Sequence, residues 1–306
     1  MKLITFTPEG PAGGERAGFL ISDGTEVLDL TAGAAGLPAP ASERDWHDLA
    51  SACLAQARAL HHEVVRDATR LDELRAAGVV LPRGAVRLLA PVPRPRKFIC
   101  IGLNYRDHAA EQGAEVPESP IVFSKFATAV TGPGAPVRIP LGSAKVDYEA
   151  ELGVVIGREA FRVTEDEARE HVLGYTCVND VSARDFQFAD GQWQRGKSCD
   201  TFGPMGESIV TTDEIPDPHR LRISFRLNGE TLQDSSTDQL VFGVFALVSF
   251  LSQTITLQPG DVIATGTPPG VGFARKPPIF VQPGDTMEVE IEGLGVLMNP
   301  VIGSQA

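Results

Sequence analysis

Cysteine is scarce: Cys53, Cys100, Cys177 and Cys199 are the four in 306 residues, and none forms a C-x-x-C pair or a metal-finger spacing. A disulfide scaffold is excluded, and the four read as buried or free thiols of a reducing compartment, by default the cytoplasm. Positive charge is also short. Twenty-seven Lys and Arg face 40 Asp and Glu, a formal net charge of -13, which lacks the basic footprint that nucleic acid or an anionic membrane surface demands. Long apolar runs are missing as well. The longest, Val241 to Leu251, contains Gly243 and Ser249 and is too short to span a bilayer. The apolar start at Leu3 to Phe6 is too short for a signal peptide, with Pro8 and Gly10 directly behind it. What is present, 42% hydrophobic and 22% charged residues, describes a globular chain of one large domain or two.

Residues 1–90 read as a small α+β unit. Short strands are expected near Leu3 to Phe6, Gly18 to Ile21 and Glu26 to Leu30. One long helix follows between Trp46 and Ala77, capped by Asp45, with Leu49, Cys53, Leu54, Leu60, Val64, Val65, Leu71 and Leu74 at helical spacing and Gly78 as its stop. His61 and His62 lie in that helix with no ligand set around them, and read as packing or surface residues. Pro91, Pro93 and Pro95 then stiffen an extended connector, because each biases the residue before it away from helix. A domain boundary near residue 92 follows, with a second domain over 93–303.

That second domain is rich in strands: Lys97 to Gly102, Ile121 to Phe126, Val137 to Ile139, Glu149 to Ile156, Thr176 to Asn179, Leu221 to Leu227, Asp261 to Thr265 and Met287 to Ile291. Two helices interrupt them, Glu165 to His171 and Gln239 to Leu251, the latter behind N-cap candidates at Ser235, Ser236, Thr237 and Asp238. Strands without regular helical crossovers argue against a doubly wound parallel sheet. The fold class expected is mainly β with some α, arranged as a sandwich, roll or barrel.

The richest chemistry lies in the acids. Glu149 and Glu151 stand two residues apart at the entrance of a run that reads as a buried strand, so they share one face. Like charges so close need a proton, a basic side chain or a cation between them, and a hard divalent ion is the reading we favour. The alternative is a half-exposed strand whose acids face water. Asp147 belongs to the same alternation, as a third acid of the site or a solvent-facing residue. Asp180 closes another apolar stretch and would bring a third carboxylate to the same end, giving an oxygen-only shell suited to Mg²⁺, Mn²⁺ or Ca²⁺. Asp185 is an equally good candidate from spacing. Upstream, a short helix from about residue 106 would put His108 and Glu111 on one face at i and i+3. By itself that is a common surface pair. Lys125 and Arg106 read as surface salt-bridge formers. The turn from Thr265 to Gly272 lacks the Lys-Ser/Thr ending of a phosphate-binding loop, which excludes a nucleotide site.

Taken together, Glu149-x-Glu151-Leu152, Asn179-Asp180-x-Ser182-Ala183-Arg184-Asp185-x-Gln187, Gly196-Lys197-Ser198 and Gly266-Thr267-Pro268-x-Gly270-Val271-Gly272 resemble the fumarylacetoacetate hydrolase family in order and spacing over about 200 residues. The first 90 residues resemble, more loosely, the leading domain of its longer bacterial members. The resemblance implies that family's mixed β-sandwich roll, usually as a homodimer, and a small 2-oxo or diketo acid as substrate. It makes Glu149, Glu151 and Asp180 the ligands of Mg²⁺ or Mn²⁺, with Ca²⁺ able to take their place in a crystal. It turns His108 and Glu111 into an acid–base pair on a lid over the substrate, with Gly113 to Pro117 as lid material. It assigns Lys197 and Gln187 to an oxyanion and Thr267 to a substrate oxygen.

The reaction so implied is metal-assisted hydrolysis of a carbon–carbon bond in an acylpyruvate or related β-diketo acid. His108, oriented by Glu111, activates water, and one fragment departs as a stabilised enolate. Decarboxylation of oxaloacetate and isomerisation of a 2-hydroxydiene dioate need the same groups and form the alternative, and hydrolysis of diketo-deoxy sugar acids is compatible too. A non-catalytic, metal-stabilised binding protein is the reading from another class.

Overall fold

The computed structural model describes residues 1–9, 14–32, 54–189 and 191–304. Two sheets dominate it. The larger has eleven strands, running Val80–Pro82, Glu26–Asp29, Arg16–Ile21, Lys2–Pro8, Ile209–Thr211, Val172–Asn179, Ala150–Ile156, Val262–Ala264, Phe98–Gly102 and Ile121–Lys125, with Val86–Leu88 branching from Lys2–Pro8. It is mixed, since Val262–Ala264 pairs in parallel with Phe98–Gly102 while its other neighbours are antiparallel. The smaller has five strands in the order Glu230–Ser236, Arg222–Leu227, Thr286–Ile291, Gly295–Ile302 and Val137–Arg138. The fold is therefore mainly β with some α.

The strand Ala150–Ile156 is buried along its whole length, so neither of its faces meets water. Leu152, Val154 and Ile156 point into one core with Tyr175 and Cys177, and there they meet Ile223, Phe225, Met287 and Val289 of the small sheet. Tyr148 and Phe225 stack across that seam with centroids 4.0 Å apart. Val155 points to the other face, into a second core with Leu173, Val178 and Phe98. Glu151 shares the parity of Val155. The alternative of a half-exposed strand with water-facing acids is therefore wrong.

Residues 1–9 do not stand apart from the rest, because Lys2 and Leu3 pair with Val210 and Ile209 and so continue the large sheet. The expected helix of residues 46–77 needs revision. Asp45 and the first residues of that tract lie outside the described residues. The remainder is broken at Asp67, whose carboxylate accepts from the N–H groups of Thr69 and Arg70 and starts a new helix, giving Leu54–Arg66 and Ala68–Ala76. His61 packs edge-on against Phe19, and His62 is exposed.

The second helix expected downstream starts later than its caps suggested, at Val244 instead of Gln239. Residues 240–242 are committed elsewhere: Val241 and Phe242 donate their N–H groups to Asn104, and Leu240 bridges Tyr105. Among the described residues no helix is long and apolar enough to cross a membrane. Cys100, Cys177 and Cys199 are free thiols.

Candidate metal centre and active site

Strand geometry brings three acids into one buried cluster. Glu149 and Glu151 come from the entrance of the Ala150–Ile156 strand, and Asp180 from the end of Val172–Asn179, its hydrogen-bonded neighbour. The Asp180 N–H donates to Glu149 O at 2.9 Å, which locks the two chain segments in register. Glu149, Glu151 and Asp180 can each offer an oxygen such that all three lie within 4.8 Å of one another. Asp185 is elsewhere. Its carboxylate takes Ser143 Oγ and the Ala144 N–H, which fixes a surface loop.

The protein's own cations crowd this triangle. Lys197 Nζ lies 2.6 Å from Glu149 Oε2 and 2.9 Å from Asp180 Oδ2, and Arg184 Nη2 lies 2.6 Å from Glu149 Oε1. Burial alone would raise the Glu149 carboxyl, but Lys197 and Arg184 outweigh it and bring the group down to about 2. Glu151 has no such partner. Burial, then the charges of Asp180 and Glu149, push its carboxyl well above the carboxylate range, outweighing the nearby charge of Lys197 and the N–H that Gly266 donates at 2.8 Å. Lys125 is a correction to the surface role expected for it. It is buried beneath the site, donating to Val181 O and Lys197 O, with its Nζ 2.5 Å from Asp180 Oδ1.

A hard divalent ion fits these residues. The donors are all oxygen, Asp180 Oδ1 has no hydrogen-bond partner of good geometry, and Glu151 is a carboxyl that a cation would relieve of its proton. An ion drawn in there would share Glu149 and Asp180 with the Lys197 ammonium.

Asp147 is neither a ligand of this cluster nor water-facing. Fully buried, it accepts from Arg184 Nε at 2.9 Å and from the N–H groups of Tyr148, Gly272 and Phe273. It therefore ties Arg184 to the loop of residues 265–273. That loop holds acids from three directions: Gly266 N–H binds Glu151, Gly270 N–H binds Glu111 Oε1, and Gly272 N–H binds Asp147. Gly270 has φ +101°, and a Cβ at Gly272 would sit 1.9 Å from Ile279 O and 2.6 Å from Asp147 Oδ1, so neither position accepts a side chain.

Arg106–Gln112 is the short helix expected upstream. Its i, i+3 pair meets: His108 Nδ1 is 3.1 Å from Glu111 Oε2. Gln112 Nε2 is 2.7 Å from His108 Nε2, on the opposite side of the ring. The helix is pinned by Asp107 to Ser235 Oγ, by Glu111 to Gly270, and by Arg106 to the carbonyl of Leu240. Leu103, just ahead of it, adopts φ +51°, an uncommon conformation for a branched residue, and lines the cavity.

One cavity of about 220 Å³ collects His108, Glu149, Glu151, Gln187, Lys197 and Thr267. Gln187 gives its side-chain oxygen to Arg184 Nη1, leaving its amide N–H groups for the cavity. Thr267 spends its hydroxyl proton on Ala150 O and accepts from Gln233, so its hydroxyl braces the strand entrance. The residue that sequence reading left without a role is Arg184, which lines the cavity, clamps Glu149 and lies over the Phe273 ring at 4.4 Å. Its position three residues before Gln187 on one short helix was the available signal.

Comparison with known proteins agrees with this geometry. The family described as fumarylacetoacetate hydrolase, C-terminal, matches residues 97–302. Over 305 residues the chain is 43% identical to a Xenopus laevis protein named oxaloacetate tautomerase, mitochondrial, covering 99% of this chain and 90% of that one. A solved 5-carboxymethyl-2-hydroxymuconate delta-isomerase from Mycobacterium smegmatis has a TM-score of 0.75 and 34% identity, with 100% of both chains covered. A fumarylacetoacetate hydrolase from Exiguobacterium antarcticum has a TM-score of 0.78 and 34% identity, covering 99% of this chain and 100% of its own.

Proposed function

The chain belongs to the fumarylacetoacetate hydrolase family of enzymes, and on that footing we propose that it moves a proton at the carbon beside the keto group of a small 2-oxo acid, interconverting its keto and enol forms. One observation carries this reading: Glu149 and Glu151 of the buried three-acid cluster line the same cavity as His108, a histidine held by a carboxylate, with Asp180 directly behind them. Mg²⁺ or Mn²⁺, held by Glu149, Glu151 and Asp180, would supply the Lewis acidity that makes a proton beside a carbonyl easier to remove. Glu111 fixes the Nδ1 side of His108, so Nε2 is the nitrogen that takes the proton and returns it, in exchange for the contact it makes here with the Gln112 amide. The imidazolium formed on the way is balanced by the same Glu111 carboxylate. Lys197 and Gln187 stand ready to meet negative charge on the substrate oxygens. The Xenopus relative's name and the Mycobacterium isomerase favour a reaction that leaves the substrate's mass unchanged.

Hydrolysis of a carbon–carbon bond, the leading expectation from the motifs, is the second reading. The same His108–Glu111 pair can deprotonate water, and the Exiguobacterium structure carries a hydrolase's name. Incubating the Mg²⁺- or Mn²⁺-loaded protein with oxaloacetate, an acylpyruvate and a 2-hydroxydiene dioate, and weighing the products, separates the reactions. Altered keto–enol exchange at constant mass supports tautomerisation, addition of water with two fragments supports hydrolysis, and loss of CO₂ supports decarboxylation. Stabilisation by Mg²⁺ with no change in any of the three acids would reduce the protein to a metal-stabilised binder. A reducing compartment, supported by the unpaired thiols, and a homodimer, supported by kinship, belong to the same proposal. Sedimentation tests the latter.

A further inference from the structure

The cavity has two chemically distinct ends. Glu149, Glu151, Arg184 and Lys197 form its buried floor, whereas Ile121 is 39% and Phe188 59% exposed at its outer end. The outer walls are mostly aromatic, and their exposed polar member, Gln112, has its amide nitrogen against His108 Nε2. Phe123 meets Trp193 edge to face at 5.3 Å between centroids, and Phe188 meets Phe273 at 5.7 Å. Each pair is rooted at the floor, with Phe123 5.2 Å from Lys197 Nζ and Phe273 4.4 Å from Arg184 Cζ. The Trp193 ring fills space left by Gly102, where a Cβ would lie 2.5 Å from Trp193 Cζ3.

Charge at the two ends differs in the same sense. The lysine and arginine lining the cavity are Lys197 and Arg184, both at the floor and both bound to acids, so among the described residues no such cation lines the outer end. Beneath the floor, the buried acids Asp147, Glu149, Glu151 and Asp180 outnumber the buried cations Lys125, Arg184 and Lys197 by one. A divalent ion and one substrate carboxylate bring that balance to zero. A second carboxylate would lie against rings with no lysine or arginine to pair it and a Gln112 amide already turned to His108, where losing its water goes largely uncompensated, whereas an aryl or branched alkyl group would find edge and face contacts there.

We propose that the Phe123, Phe188, Trp193 and Phe273 end of the cavity is a specificity pocket for an apolar arm, so that this chain selects 2-oxo acids bearing one carboxylate and an aryl or alkyl group over dicarboxylates such as oxaloacetate. The inference rests on the reading that the floor holds a 2-oxo acid head. It is tested by calorimetry on the Mn²⁺-loaded protein with two unreactive ligands that share that head, N-phenyloxamate and N-oxalylglycine. The phenyl compound should bind at least roughly tenfold tighter, and Trp193→Ala should remove most of that gap while moving N-oxalylglycine by no more than about twofold, with Trp193→Phe restoring it. Binding of N-oxalylglycine as tight as that of the phenyl compound, or equal weakening of both by Trp193→Ala, overturns the inference and leaves the 2-oxo acid reading standing. If neither oxamate binds the loaded protein, the reading and the inference fall together.

Discussion

At the residue scale, His108 and Glu149 divide the chemistry between them and can be told apart. His108 touches Glu111 and Gln112 and none of the clustered acids, so His108→Ala should leave Mg²⁺ affinity intact while turnover falls by roughly 10²- to 10⁴-fold. Glu149→Ala should lose both metal and turnover, because it removes one of the three clustered carboxylates and leaves Lys197 with Asp180 alone and Arg184 with Asp147 alone. A His108→Ala protein with near-normal kcat would remove the histidine from the mechanism. Cysteine chemistry separates by depth. Burial pushes Cys177 up to about 12 and Cys100 well above the thiol range, so among the described cysteines iodoacetamide at pH 8 should spare these two and reach half-buried Cys199. Mass mapping of the alkylated peptides checks this.

At the element scale, the loop of residues 265–273 is the piece on which the site depends. Its backbone N–H groups hold Glu151, Glu111 and Asp147, which link the acid cluster, the His108 helix and Arg184. Asp147→Asn keeps the shape but leaves Arg184 with an uncompensated share of charge, and should lower unfolding stability by about 3 kcal/mol. Urea denaturation measures it, and a loss under about 1 kcal/mol would mean that the Arg184 contact with Glu149 suffices alone. The glycines of this loop were legible in the sequence as a motif, and so was the i, i+3 pairing of His108 with Glu111. The role of Asp147 was not, because period-2 alternation places it with Glu149 and Glu151 while the backbone ahead of the strand turns it toward residues 272 and 273. Strand positions were mostly legible from apolar runs. The strands Glu230–Ser236 and Gly295–Ile302 were missed, since the first buries polar Gln233 beside Leu232 and the second buries Asn299 while exposing Val296 and Met298, so neither displays a clean apolar–polar alternation.

For the whole molecule, the ion and the fold should be coupled through pH. A carboxyl raised in the folded state, as Glu151 is above its ordinary 4.5, binds its proton more tightly folded than unfolded. Without metal its contribution is therefore fully present below that value and declines as pH rises through the folded one. Glu149, lowered to about 2, has the opposite sign, and its contribution is lost only as the pH falls toward 2. Because the ion requires Glu151 without its proton, Mg²⁺ should raise Tm more at pH 8 than at pH 5, and Glu151→Gln should abolish the difference. Thermal unfolding with and without Mg²⁺ at both pH values decides it. Equal shifts at the two values would mean that Glu151 is already ionised before metal arrives.

Residue types and their order were enough to establish which chemistry is available: an acidic chain without a basic footprint, strand-rich beyond residue 97, with carboxylates at Glu149, Glu151 and Asp180 and a histidine beside a glutamate. Those properties follow from residue type and local periodicity, which act over a few positions. Spacing left open, and packing settles, that Asp180 and not Asp185 joins the pair, that Lys125 is buried beneath them, and that Arg184 lies between Asp147 and Glu149. These are contacts between segments more than thirty residues apart in most cases, and they are set by which strands share a sheet and in what register, a choice made by packing two faces of one buried strand at once.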